Sequence, residues 1–119
     1  MRQYSKPHLF SWVDLQEALE VYLPAGSDRR DPGLSPLYAP AEQLAAMPIP
    51  ALFSCGTDDG LLDDTLFMAA RWSQFAHAEL ALHPGAPHGI GCFGPHQKTA
   101  LGREAHRRIE AFLDEHLGD

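Results

Sequence analysis

Two short stretches decide the fold. Ala51-Leu52-Phe53-Ser54-Cys55-Gly56 runs straight into Thr57-Asp58-Asp59-Gly60-Leu61-Leu62-Asp63-Asp64. About two dozen residues later, Glu79-Leu80-Ala81-Leu82-His83 runs into Pro84-Gly85-Ala86-Pro87-His88-Gly89. Each opens with a short apolar run that breaks at glycine or proline, the signature of a strand buried in a sheet. Leu80 and Leu82 alternate with Ala81, as the side chains of a strand do. Between them, Asp63 or Asp64 can start a helix reaching about residue 75. Leu62, Leu66, Ala69, Ala70 and Ser73 share one face of it, widened by Phe67 and Trp72. Strand, helix, strand is a βαβ unit, and its crossover makes the two strands parallel.

A second helix follows after a loop rich in Gly and Pro. It is expected from about residue 98 to 117, with Leu101, Ala105, Ile109, Phe112 and Leu113 inward. Glu104 and Arg108 stand at i,i+4 for an ion pair. Upstream, residues 24–50 are rich in Pro, Gly and Asp, an irregular connection with one helical turn near residues 42–46. Before it, Asp14 can cap a short helix that ends at Tyr22, with Leu15, Ala18, Leu19 and Tyr22 at helical spacing.

Composition narrows the partners. Nine Lys and Arg against 16 Asp and Glu leave a net charge of −7. Nucleic acid and anionic membrane surfaces need a basic face and are not expected. Residues 1–12 hold no continuous apolar run of a leader peptide, and no run nears the roughly 18 residues of a membrane span. The expectation is a cytoplasmic protein. Its two cysteines, Cys55 and Cys92, lack C-x-x-C spacing and are expected as free thiols.

In a parallel sheet, ligands gather beyond the carboxyl ends of the strands. Asp58 and Asp59 follow the first strand and His88 follows the second. Neighbouring strands lie about 4.8 Å apart, so loops leaving one edge can touch. A carboxylate there can fix the tautomer of an imidazole that takes up a proton.

The surrounding residues make this specific. Gly56-Thr57-Asp58-Asp59-Gly60-Leu61-Leu62-Asp63-Asp64 resembles the G-x-x-D-x-L-x-D-D/E acid motif of the hormone-sensitive-lipase-like esterases. These are α/β-hydrolases, and they carry that motif after strand seven. Pro84-Gly85-Ala86-Pro87-His88-Gly89 resembles their P-G-x-x-H segment after strand eight, and Asp31-Pro32-Gly33-Leu34-Ser35-Pro36-Leu37 resembles the D-P-x-x-S-P-L that precedes strand seven. The resemblance implies an α/β fold: the C-terminal part of an α/β-hydrolase sheet, with residues 1–49 as an irregular arm and 50–119 as a βαβ unit plus terminal helix. It also implies that His88 is the catalytic base and Asp59 its acid. Gly60 stands where proline is common in the family, so Asp58 stays a second candidate.

The nucleophile motif of the family, G-x-S-x-G, does not occur. Only Ser35 has a glycine two residues before it. Pro36 follows, and proline has no N–H to offer an oxyanion hole. The chain therefore reads as roughly the last third of a serine carboxylic-ester hydrolase, inactive by itself. Such chemistry needs an ester substrate and no cofactor.

A metal reading would gather His83, His88, His96 and Cys92. These fall in loops without the tight pairs a zinc site uses, so no metal is expected. The remaining alternative is an interaction module. The outer edge of the first strand could pair with an N-terminal partner chain or with a second copy of the same chain, giving a homodimer.

Overall fold

The computed structural model describes residues 11–92 and 98–118. Helix α1 spans Trp12–Tyr22, a 3₁₀ turn spans Pro36–Tyr38, and α2 spans Ala41–Ala45. Strand β1 is Ala51–Gly56, α3 is Leu62–Trp72, β2 is Ala78–His83, and the last helix, α4, is Ala100–Leu117. The two strands pair in parallel, in register from Ala51 with Ala78 to Gly56 with His83. The α/β architecture is thus the one read from the sequence.

The sheet is covered on both faces, as a parallel sheet requires. Side chains alternate across a strand. Phe53 and its partner Leu80 face α3, where the Phe53 ring meets Trp72 edge-on with centroids 6.4 Å apart. Glu79, Ala81 and His83 face α4, where Arg108 forms an ion pair with Glu79. α4 comes close because its inward residues are small. Gly102 and Ala105 are buried, and Ala105 forms a buried cluster with Ala86 and Ile90 from the loop after β2.

Several local expectations need correction. Asp14 does not cap α1. Ser11 does, and Asp14 is the third helical residue of a capping box: the Ser11 hydroxyl accepts from Asp14 N–H, and the Asp14 carboxylate accepts from Ser11 N–H at 2.7 Å. Neither Asp63 nor Asp64 caps α3. They sit inside its first turn, where their charge suits the helix N-terminus, and the helix ends at Trp72. In α3 only Leu62 and Ala69 are buried, while Phe67, Ala70 and Ser73 lie outside. In β2 the buried pair is Ala81 and His83, while Leu80 and Leu82 stay 44% and 40% exposed. The reason is the cover. α4 runs for 18 residues over one face, and the 11-residue α3 leaves part of the other open. The inward stripe of α4 runs through Gly102, Ala105 and Phe112, so Leu101 and Leu113 lie outside it. Arg108 is drawn to Glu79, and Glu104 pairs with Arg107 instead.

The N-terminal arm is anchored by donors from α3. The Arg71 guanidinium donates to the carbonyls of Leu37 and Ala39, and Trp72 Nε1–H donates to the Ile49 carbonyl at 3.0 Å. Leu44 of α2 is fully buried. Beneath α1, which buries no residue completely, an open apolar groove of about 610 Å³ is lined by Leu15, Leu19, Leu34, Leu61 and Met68.

Candidate active site

Both strands end at the same edge, and their loops are stitched together there. Thr57 N–H donates to the His83 carbonyl at 3.0 Å, and Asp58 N–H donates to the Ala86 carbonyl at 3.0 Å. In return, Gly85 N–H donates to Thr57 Oγ1 at 2.7 Å. The close approach depends on Gly56. A Cβ there would lie 2.0 Å from the Ala86 oxygen. Gly85 (φ 73°) and Gly89 (φ 77°) turn the second loop through left-handed backbone that side chains disfavour.

These loops bring Asp59 and His88 together. Asp59 is buried, with 5% of its surface exposed. Its Oδ1 accepts from Leu61 N–H at 2.8 Å, which fixes the carboxylate in the turn before α3. Its Oδ2 faces His88 Nδ1 at 3.0 Å. His88 is a third exposed, so its ring is held on one side and open on the other. A charge-assisted bond of this kind sets the imidazole with its proton on Nδ1 and leaves Nε2 to accept one. Asp58 is half-buried, and it is Asp59 that meets the imidazole.

Of the other residues singled out in the sequence, Cys55 touches the pair and the rest lie apart. Cys55 is buried beneath Asp59, its thiol 3.6 Å from Oδ2, and burial pushes that thiol up to about 11. Cys92 is exposed, and both cysteines are free. His83 is buried on the α4 face, hydrogen-bonded with the Ser54 hydroxyl at 3.1 Å, and burial holds its pKa below the ordinary histidine value against the pull of Glu104. His96 lies outside the described residues, as do residues 1–10 of the stretch 1–12 on which the leader-peptide reading rests. Thr57, which links the two loops, went unread in the sequence. Its signal was a hydroxyl residue directly after a strand-ending glycine.

A family model described as "alpha/beta hydrolase fold" matches residues 1–91. The chain belongs to the α/β-hydrolase family. No curated protein matches it. Solved structures do: esterase rPPE, in mutant forms that include one complexed with (S)-Ac-CPA, and a thermostable esterase from Pseudomonas putida ECU1011. Each superposes with a TM-score of 0.84 at 24% identity, covering 92% of this chain and 34% of the other. At that identity the likeness shows a shared fold. This α/β-hydrolase chain spans about a third of the length of those esterases. Among the described residues, no helix is long and apolar enough to cross a membrane.

Proposed function

We propose that this chain supplies the acid and the base of a serine carboxylic-ester hydrolase. The observation that supports the reading is the 3.0 Å contact between buried Asp59 Oδ2 and His88 Nδ1, at the carboxyl edge of two parallel strands. In the proposed reaction, a serine outside these 119 residues attacks the ester carbonyl. His88 takes the serine proton on Nε2 and hands it to the leaving alcohol; it then takes a proton from the water that attacks the acyl-serine and returns it to the serine as the acid leaves. Asp59 keeps the ring in the right tautomer and stabilises the imidazolium. No cofactor enters. Loss of the serine alone costs a triad hydrolase on the order of 10⁶ in turnover, so the isolated chain should show no enzymatic ester hydrolysis.

The test starts from the DNA directly upstream, which should encode a G-x-S-x-G segment in frame or across a frameshift. The protein that joins that segment to this chain should hydrolyse p-nitrophenyl acetate. His88→Ala should lower turnover by on the order of 10⁶ and Asp59→Asn by on the order of 10⁴. An upstream sequence without the serine motif, or full activity in His88→Ala, refutes the reading.

One observation favours a second reading. Among the described residues β1 is paired only with β2, and the radius of gyration, 15.6 Å, exceeds the roughly 13.5 Å of a compact domain this long. The outer edge of β1 would then pair with another chain, in the simplest case a second copy. Light scattering after size exclusion decides it, and a stable monomer rules out the homodimer.

A further inference from the structure

At the opposite end of the sheet lies a group of side chains that ester hydrolysis does not use. His77 immediately precedes β2, Glu79 is its second residue, and His116 stands in the last turn of α4. Glu79 Oε2 lies 3.5 Å from His77 Nε2 and 3.6 Å from His116 Nε2. One donor atom from each residue falls within 4.8 Å of the others. Glu79 Oε2 and His116 Nε2 are closed off from solvent, and they face each other at ion-pair range without a hydrogen bond of good geometry. Buried polar atoms of this kind are satisfied by a bound water or ion.

The spacing fits a particular ion. Zinc holds imidazole nitrogen and carboxylate oxygen at about 2.0–2.2 Å in a tetrahedron, which sets neighbouring ligand atoms roughly 3.3–3.5 Å apart. The Glu79 oxygen stands 3.5 and 3.6 Å from the two imidazole nitrogens, close to that tetrahedral edge, and all three donor atoms lie within 4.8 Å of one another. The surroundings orient the ligands. Arg108 holds the other carboxylate oxygen, Glu79 Oε1, leaving Oε2 turned toward the histidines. The His116 ring rests on Phe112, with centroids 4.4 Å apart, and His77 is tied to β1 by Ala51 N–H donating to its carbonyl at 3.0 Å. Outer contacts of this kind are what keep metal ligands in place. The fourth position would fall to water.

We infer that His77, Glu79 and His116 form a binding site for one Zn²⁺ ion, which ties the last turn of α4 to the start of β2. The role is structural. Glu79 and His83 are four residues apart on one strand, so the ion stands roughly 13 Å from the edge that carries Asp59 and His88.

The test is calorimetric titration of metal-free chain with ZnCl₂, alongside thermal unfolding with and without Zn²⁺. One equivalent should bind saturably and raise the unfolding temperature. His116→Gln and His77→Gln should each weaken binding at least 100-fold and abolish the thermal shift, while His88→Ala and Cys92→Ser should bind as the parent does. Co²⁺ in place of Zn²⁺ should give the strong visible absorption of a four-coordinate site, so the geometry can be read even where a variant folds poorly. No saturable binding, a six-coordinate Co²⁺ spectrum, or binding lost in His88→Ala and kept in His116→Gln would overturn the assignment.

Discussion

Gly56→Ala is the substitution that most directly tests how the Asp59–His88 pair is held. The new Cβ would lie 2.0 Å from the Ala86 oxygen, 2.5 Å from its carbonyl carbon and 3.0 Å from its Cβ. Relief requires the two loops to part by at least about 1 Å, because close-packed interiors hold no slack of that size. Ala86 cannot retreat, since it is fully buried against Ile90 and Ala105. The displaced carbonyl is also the one that accepts from Asp58 N–H. Overpacking of this kind costs about 1–3 kcal/mol, and the lost hydrogen bond adds about 1 kcal/mol. The expected destabilisation is roughly 2–4 kcal/mol, or about 1–2 M in the urea midpoint. Gly26→Ala is the control. Gly26 also has a positive φ, 81°, but a Cβ there meets nothing within 4 Å. It should lose only about 1–2 kcal/mol from backbone strain. A second readout is local: the His88 ring ¹⁵N shifts report which nitrogen carries the proton, and parting the loops should remove the fixed Nδ1–H form. If Gly56→Ala unfolds at the midpoint of Gly26→Ala and keeps the parent His88 shifts, the loop contact does not position the pair.

Three further outcomes are expected. Burial lowers the pKa of His83, so its contribution to stability is complete above the unfolded value of 6.5 and is lost as the pH falls through the lower folded value; urea midpoints should fall between pH 7.5 and 5.5, and an equal fall in His83→Phe would show that another group is responsible. Iodoacetamide at pH 8 should modify exposed Cys92 and leave Cys55, whose thiol is buried and pushed up to about 11, until urea unfolds the chain; peptide mass spectrometry reads this, and modification of Cys55 at the rate of Cys92 would contradict the burial. Leu44→Ala removes the largest fully buried side chain and should cost about 2–5 kcal/mol in urea unfolding, whereas a loss under 1 kcal/mol would mean that α2 is not packed as described.

What was legible in the sequence follows from what is local. The βαβ order could be read because strands that end in glycine and helices with a 3.6-residue period leave marks within a few neighbours. Inward faces could not be read as well. Leu80 and Leu82 look like core, but which face of β2 is covered depends on how far α3 and α4 extend over it, and no residue of β2 records that. The pairing of Arg108 was missed for the same reason: Glu104 is four residues away in sequence, while Glu79 lies across the sheet in space. Ser11 escaped notice as a cap because Asp14 satisfies the same preference three positions later. The His77, Glu79 and His116 group joins a strand entrance to a helix end nearly 40 residues on, a separation at which spacing carries no signal.

The Asp59–His88 pair differs from those cases because its support comes from its own two loops. Thr57 donates to the His83 carbonyl, Asp58 to Ala86, and Gly85 to Thr57, all within the ends of two adjacent strands. Leu61 fixes Asp59 from the first turn beyond. These hydrogen bonds stay within the two loops and the turn before α3, with Ala86 backed by Ala105 of α4. A residue brought to His88 Nε2 from elsewhere would therefore meet an imidazole already oriented, so the geometry of the pair should not change when that residue arrives. The recognisable letters and the formed geometry coincide here in part for one physical reason: Gly56 and Gly85 of the two motifs are also residues at which the two loops meet.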